Sequence, residues 1–127
     1  MERSTSLSES ILIVDDVPAN LKLASVLLSK LGYQIHTAST AEEALEIAKK
    51  IRPRLVLADI RLPGMDGLEM TRLLKSSPET QNTVVVAVTA FAMKGDEQKA
   101  LEAGCDGYIT KPINVKAFPT LIRQYLK

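Results

Sequence analysis

The chain has 127 residues, of which 16 are basic and 15 acidic, for a net charge of +1. That length fits one domain with a real core, and the balanced charge gives no bulk attraction to nucleic acid or to an anionic membrane. No apolar run approaches the roughly 18 residues needed to span a bilayer, and the single cysteine, Cys105, excludes an internal disulfide and suits a reducing compartment.

The start is polar, with no signal-peptide core. Residues 1–9 therefore read as a flexible N-terminal tail ahead of one domain over 10–127, with a cytoplasmic location expected. Ile11-Leu12-Ile13-Val14 is a short apolar run that suits a strand buried on both faces of a parallel sheet. Val17-Pro18 opens a helix, with Leu21, Ala24, Leu28 and Leu31 as its core face and Gly32 at its end. Residues 33–38 form a less apolar strand, expected at a sheet edge, in which His36 reads as an ordinary strand histidine. Thr40-Ala41-Glu42-Glu43 is a capping box that starts a second helix with Ala41, Ala44, Leu45 and Ala48 inward.

Pro53 separates that helix from a strand over 55–59, and a third helix follows over 67–76 with Met70, Leu73 and Leu74 inward. Residues 83–88 make a fourth buried strand ending at Thr89. Met93 to Ala103 is a weak helix, carrying Gly95 and five charged residues. Tyr108-Ile109-Thr110 is a short fifth strand, and Phe118, Leu121, Ile122 and Tyr125 face inward from a last helix that becomes regular near Pro119, after a turn from Asn114. Strand and helix alternate five times, which predicts a doubly wound α/β domain with a five-stranded parallel sheet.

The stretch 55–67, Leu-Val-Leu-Ala-Asp-Ile-Arg-Leu-Pro-Gly-Met-Asp-Gly, organises the rest. Its apolar run stops on Asp59, and Pro63 and Gly64 force a turn, so a carboxylate is displayed at the carboxyl end of a buried strand. Gly64 and Gly67 are read as positions whose backbone conformation excludes side chains. Asp15, Asp16, Thr89 and Lys111 also lie at or just after strand ends. In the order 2-1-3-4-5, strands one and three are central neighbours, and their three carboxylates must crowd. Two like charges about 4 Å apart repel by roughly 4 kcal/mol at an effective dielectric of 20. Lys111 compensates one charge. The remaining hard oxygen ligands suit Mg²⁺, and Mg²⁺ beside a carboxylate, a hydroxyl and an ammonium suits phosphoryl chemistry. Unrelated caps and salt bridges would not place five polar groups at the ends of four strands.

With Ile-Leu-Ile-Val-Asp-Asp, Asp59 followed by Leu-Pro-Gly-Met-Asp-Gly, Val-Thr-Ala and Gly-Tyr-Ile-Thr-Lys-Pro, residues 10–126 resemble the receiver domain of two-component response regulators, which has a flavodoxin-like fold. The resemblance implies that Asp59 is the phosphoacceptor, attacking a phosphohistidine on a histidine kinase or phosphotransferase. It implies that Asp16, Asp59 and the backbone carbonyl of Arg61 ligate Mg²⁺ directly, with Asp15 acting mainly through a water. Lys111 would hold a phosphoryl oxygen, Thr89 would bond the phosphoryl group, and Tyr108 would turn inward as Thr89 moves, changing the face made by the fourth helix, fifth strand and fifth helix. A cis bond before Pro112 is also implied. Arg61 and Phe91, two positions after Asp59 and Thr89, flank the entrance and either tune the phosphoryl lifetime or only fill the rim.

Because no output domain follows Lys127, the expected output is contact with a downstream protein target, with no direct nucleic-acid binding and no membrane. The reading is a stand-alone regulator, with a receiver from a hybrid histidine kinase as the alternative. Its only catalysis would be its own phosphorylation and dephosphorylation. An Mg²⁺-dependent aspartyl phosphatase would carry Asp-x-Asp-x-Thr on the first strand, where Asp-Asp-Val-Pro-Ala stands. A flavodoxin would carry a phosphate loop there, where Asp15 and Asp16 would repel phosphate.

Overall fold

The computed structural model describes residues 9–90 and 94–126. Five strands, β1 (Ser10–Val14), β2 (Gln34–Ala38), β3 (Leu55–Asp59), β4 (Val84–Thr89) and β5 (Gly107–Thr110), form one parallel sheet in the order 2-1-3-4-5. They alternate with α1 (Pro18–Ser29), α2 (Ala41–Ile51), α3 (Gly67–Ser76), α4 (Asp96–Ala103) and α5 (Phe118–Tyr125).

The period-two geometry of strands divides the core into two layers. Leu12 and Val14 of β1, Val56 and Ala58 of β3, and Val85 and Ala87 of β4 face the alanines of α2, Met70 and Leu74 of α3, and Ala100 of α4. Their neighbours Ile11, Ile13, Leu55, Leu57, Val86 and Val88 face Ala24 and Leu28 of α1 and Phe118 and Ile122 of α5. Both faces of the central strands are therefore covered, which is why β1, β3 and β4 read as unbroken apolar runs. The edge strand β2 has an exposed Gln34 and Thr37 and a half-buried His36.

Local chemistry sets the element ends. Thr40 Oγ1 accepts the Glu43 N–H at 3.1 Å, while the Glu43 carboxylate accepts the Ser39 N–H at 2.9 Å, one residue further back than the capping box places it. Asp66 caps α3 by accepting the Glu69 N–H at 2.9 Å. Asn114 Oδ1 accepts the Lys116 and Ala117 N–H groups, each at 3.1 Å, and makes the irregular turn before α5, where Pro119 sits harmlessly in the first turn.

The structure differs from the sequence reading in several places. Leu31 lies beyond α1 and is exposed, because the helix ends at Ser29 and Gly32 takes a φ of 95° two residues past Lys30. Leu73 is exposed and Thr71 is buried in its place, its hydroxyl donating to the Gly67 carbonyl at 2.8 Å. Met70 and Leu74 face inward as expected, and Thr71 and Leu73 flank them on opposite sides, so the packing angle of α3 buries one flank and exposes the other. The described part of α4 begins at Asp96, after Gly95 with φ 90°, and Met93 lies outside the described residues. Residues 1–8 of the expected tail lie outside them too. Glu9 is tied down: it accepts from Arg54 Nη1 at 2.7 Å, and the same guanidinium donates through Nη2 to the Leu126 carbonyl at 2.7 Å.

Candidate functional site

The register builds the site. Val14 of β1 pairs with Ala58 of β3, so the next residues, Asp15 and Asp59, emerge side by side at the carboxyl edge. Thr89 ends β4 and pairs with Thr110 of β5, which brings Lys111 onto the same edge. Carboxylate oxygens of Asp15, Asp16 and Asp59 all lie within 4.8 Å of one another. Asp15 is buried, Asp59 half-buried and Asp16 exposed.

Lys111 Nζ bridges the acids, donating to Asp15 Oδ2 at 2.7 Å and to Asp59 Oδ2 at 3.0 Å. Burial opposes its charge, but the hydrogen bonds and attraction of Asp15 and Asp59 outweigh that and hold its ammonium above the ordinary lysine range. The other oxygens are occupied as well: Asp15 Oδ1 accepts the Val17 N–H at 2.9 Å, and Asp59 Oδ1 accepts the Arg61 N–H at 2.8 Å. The Thr89 carbonyl accepts the Lys111 N–H at 2.7 Å, and the Lys111–Pro112 peptide is cis. The sequence-derived residues Asp15, Asp16, Asp59, Arg61, Thr89 and Lys111 thus share one cleft of about 570 Å³, walled on its apolar side by Leu23, Ile113 and Phe118. Phe91 lies outside the described residues.

One lysine against three carboxylates leaves the cluster short of positive charge. The donors are all hard oxygens, and one acid, Asp16, faces solvent; that set fits a small divalent cation with retained waters.

Two features of the site were missed from the sequence. Gly67 is not at positive φ, unlike Gly64 at 75°. It lies against the chain of β3: a Cβ there would stand 2.5 Å from the Asp59 carbonyl oxygen and 2.8 Å from Ile60 Cα. Gly67→Ala is expected to cost about 1–3 kcal/mol and to weaken divalent-cation binding by shifting Asp59, as read by denaturant titration and calorimetry. Unchanged cation affinity in a destabilised variant would separate Gly67 from the site. The second feature is the Arg61–Asp96 pair, 3.2 Å from Nη2 to Oδ2. Asp96 lies 35 residues away from Arg61, in a helix that sequence reading found weak.

Tyr108 lies one strand over, half-buried against the α2–α4 layer, with its hydroxyl buried and without a hydrogen-bond partner among the described residues. Burial, and after it the charges of Asp96 and Glu97, push its phenol up. A buried hydroxyl without a partner adds little to stability, so Tyr108→Phe is expected to change it by less than about 1 kcal/mol, with a gain as the sign. A phenol raised on folding stabilises below its ordinary value of 10.0 and loses that contribution as pH rises past it. The variant should therefore resist alkaline unfolding better than the parent.

A five-stranded 2-1-3-4-5 sheet with an acid cluster, a threonine and a lysine at its carboxyl edge is the architecture of a phosphorelay receiver. Residues 11–123 match the response regulator receiver domain family, and the chain belongs to that family. It is a receiver domain of two-component signalling. It is 44% identical over 120 residues to the polar-differentiation response regulator DivK of Brucella anthropi, covering 94% of this chain and 98% of that protein, and 43% identical to DivK of Brucella ovis over the same shares. Among solved structures, the chemotaxis protein CheY4 of Vibrio cholerae superposes with a TM-score of 0.88 at 25% identity, over 94% of this chain and 99% of that one. The receiver domain of a Pseudomonas aeruginosa sensor histidine kinase, with a magnesium ion coordinated in its active-site cleft, superposes with a TM-score of 0.86 at 28% identity over 94% and 98%. No described helix is long and apolar enough to cross a membrane.

Proposed function

We propose that Asp59 accepts a phosphoryl group from a phosphohistidine on a histidine kinase or phosphotransferase. The observation that carries this is the placement of Asp59 Oδ2 3.0 Å from Lys111 Nζ at the mouth of the cleft, beside Asp15, Asp16 and Thr89. A carboxylate oxygen of Asp59 attacks phosphorus in line, the P–N bond to the donor imidazole breaks, and the imidazole leaves as a neutral ring after taking up a proton. Lys111 Nζ turns from Asp15 and Asp59 to a phosphoryl oxygen, and the Thr89 hydroxyl bonds another. Asp15, Asp16 and the Arg61 carbonyl, with Asp59, would hold Mg²⁺, which when bound supplies positive charge to the transferred group.

Movement of Thr89 on phosphorylation opens space for Tyr108, and the α4–β5–α5 face changes shape toward a downstream protein. The match to DivK proteins over 98% of their length supports a regulator of the polar-differentiation kind.

The test is incubation with acetyl phosphate and Mg²⁺ followed by intact mass and peptide mapping. One phosphoryl adduct on Asp59, absent after chelation, is expected; an adduct elsewhere, or one indifferent to the metal, would overturn the reading. Beryllofluoride, a mimic of the adduct, is expected to shift amides around Thr89 and Tyr108 and at the start of α5. A response confined to α1 and α2 would exclude this output face.

A further inference from the structure

Arg61 is held at both ends. Its backbone N–H donates to Asp59 Oδ1 at 2.8 Å, and its guanidinium pairs with Asp96 Oδ2 at 3.2 Å. The first contact lies in the loop after β3 and the second reaches the first residue of α4, so one residue links the acceptor loop to α4. The two partners are unequal. The Asp96 side chain is 12% exposed and that of Arg61 48%. The carboxylate is the more shielded member of the pair, and the long guanidinium arm is the more exposed one.

The pair meets α4 at its first residue. Gly95 precedes the helix at φ 90° and, being glycine, offers no capping side chain, and the described helix has eight residues. Asp96 also sits close enough to Tyr108 for its charge to act on the phenol, and Arg61 acts on the same phenol with opposite sign. Acceptor loop, α4 and Tyr108 therefore meet in one charged cluster.

We infer that Asp96 positions Arg61, and that the pair is a latch that reads the charge on Asp59. With Asp59 a plain carboxylate, the guanidinium stays on Asp96 and holds the first turn of α4 to the acceptor loop. A phosphoryl group on Asp59 carries a charge of about −1.5 to −2 and three acceptor oxygens that match the guanidinium fork. It lies within reach of an arm whose own backbone is bonded to Asp59, so it competes with Asp96 for Arg61. The guanidinium transfers, and the first turn of α4 loosens next to Tyr108. The latch rests on Asp59 being the acceptor, but the bridge itself exists without any phosphoryl group.

The experiment therefore has two arms. Hydrogen exchange at residues 97–100 is measured on metal-free wild type, Asp96→Asn, Arg61→Gln, the double variant and Arg61→Lys. Each charge-removing single variant is expected to exchange roughly three- to fivefold faster there. The double should be no faster than the quicker single, and Arg61→Lys should recover part of the protection. Unchanged exchange in the singles, or additive effects in the double, overturns the bridge. In the second arm Mg²⁺ and beryllofluoride are added, with adduct formation followed by fluorine NMR. The wild type should rise to the exchange level of the singles, and Asp96→Asn, already unlatched, should change little at 97–100. An adduct that forms without altering exchange at 97–100 overturns the latch and leaves the acceptor reading intact. Failure to form an adduct overturns both, while the first arm still decides the bridge.

Discussion

Asp59→Asn is expected to abolish the phosphoryl adduct completely and, in metal-free buffer, to make the protein more stable. The loss follows because an amide is no nucleophile toward phosphorus, and no other oxygen of the cleft has the position of Asp59 Oδ2. The gain follows from charge. Asp15, Asp16 and Asp59 hold carboxylate oxygens within 4.8 Å of one another, against one ammonium. Neutralising one acid removes its repulsion with two neighbours, while Lys111 keeps its shorter contact, 2.7 Å to Asp15. The net gain should be about 1 kcal/mol. Mg²⁺ should stabilise the wild type in a concentration-dependent manner and the variant much less. Thermal unfolding with and without Mg²⁺, beside intact-mass analysis, checks both halves. A variant less stable than its parent without metal would show that crowding is not what the site stores.

Lys111→Ala should have the opposite effect on the fold. The side chains of Lys111, Asp15 and Asp59 are 13%, 6% and 12% exposed, so removing the cation leaves two shielded acids facing each other. Breaking a buried ion pair costs about 3 kcal/mol at the lower end of its range, or roughly 10 °C in Tm for a chain of this size. Mg²⁺ should recover much of that loss, because the acids then have a cation again, and the affinity for Mg²⁺ should rise since Lys111 no longer competes. Phosphorylation should slow, and the response at Tyr108 should uncouple from it, because no ammonium then holds the phosphoryl oxygen. A metal-free Tm equal to that of the wild type would remove Lys111 from its place as the counter-charge of the cluster.

Asp59→Asn and Lys111→Ala together separate two uses of the same charges. On the proposed function, the acids are kept close at a cost in stability because a cation and a phosphoryl group would need them there. Such local conflict is typical of functional sites.

Much of this was legible in the chain. Continuous runs such as Ile11–Val14 and Leu55–Ala58 show burial on both faces, and five β-α alternations restrict the topology to a few parallel sheets. Polar residues placed directly after those runs must then meet at one edge, because parallel strands share a direction. Asp15, Asp16, Asp59, Thr89 and Lys111 could be named from that alone, and the quoted motifs carried the family.

What the sequence could not settle was rotation, close approach and reach. Whether Leu73 or Thr71 faces inward depends on the angle at which α3 packs, and apolar spacing fixes that only to within a residue or two. Gly67 looked like a turn glycine, yet it is small because the chain of β3 passes against it, a contact visible only once the loop has closed. The pairing of Arg61 with Asp96 joins residues far apart in sequence, and although Arg61 was named beside Asp59, nothing local pointed to Asp96 as its partner. Strand direction and burial are written in hydrophobic periodicity, so the sequence by itself determined the sheet and the acid edge. The distances across that edge depend on how separate elements dock, and only the tertiary structure decided them.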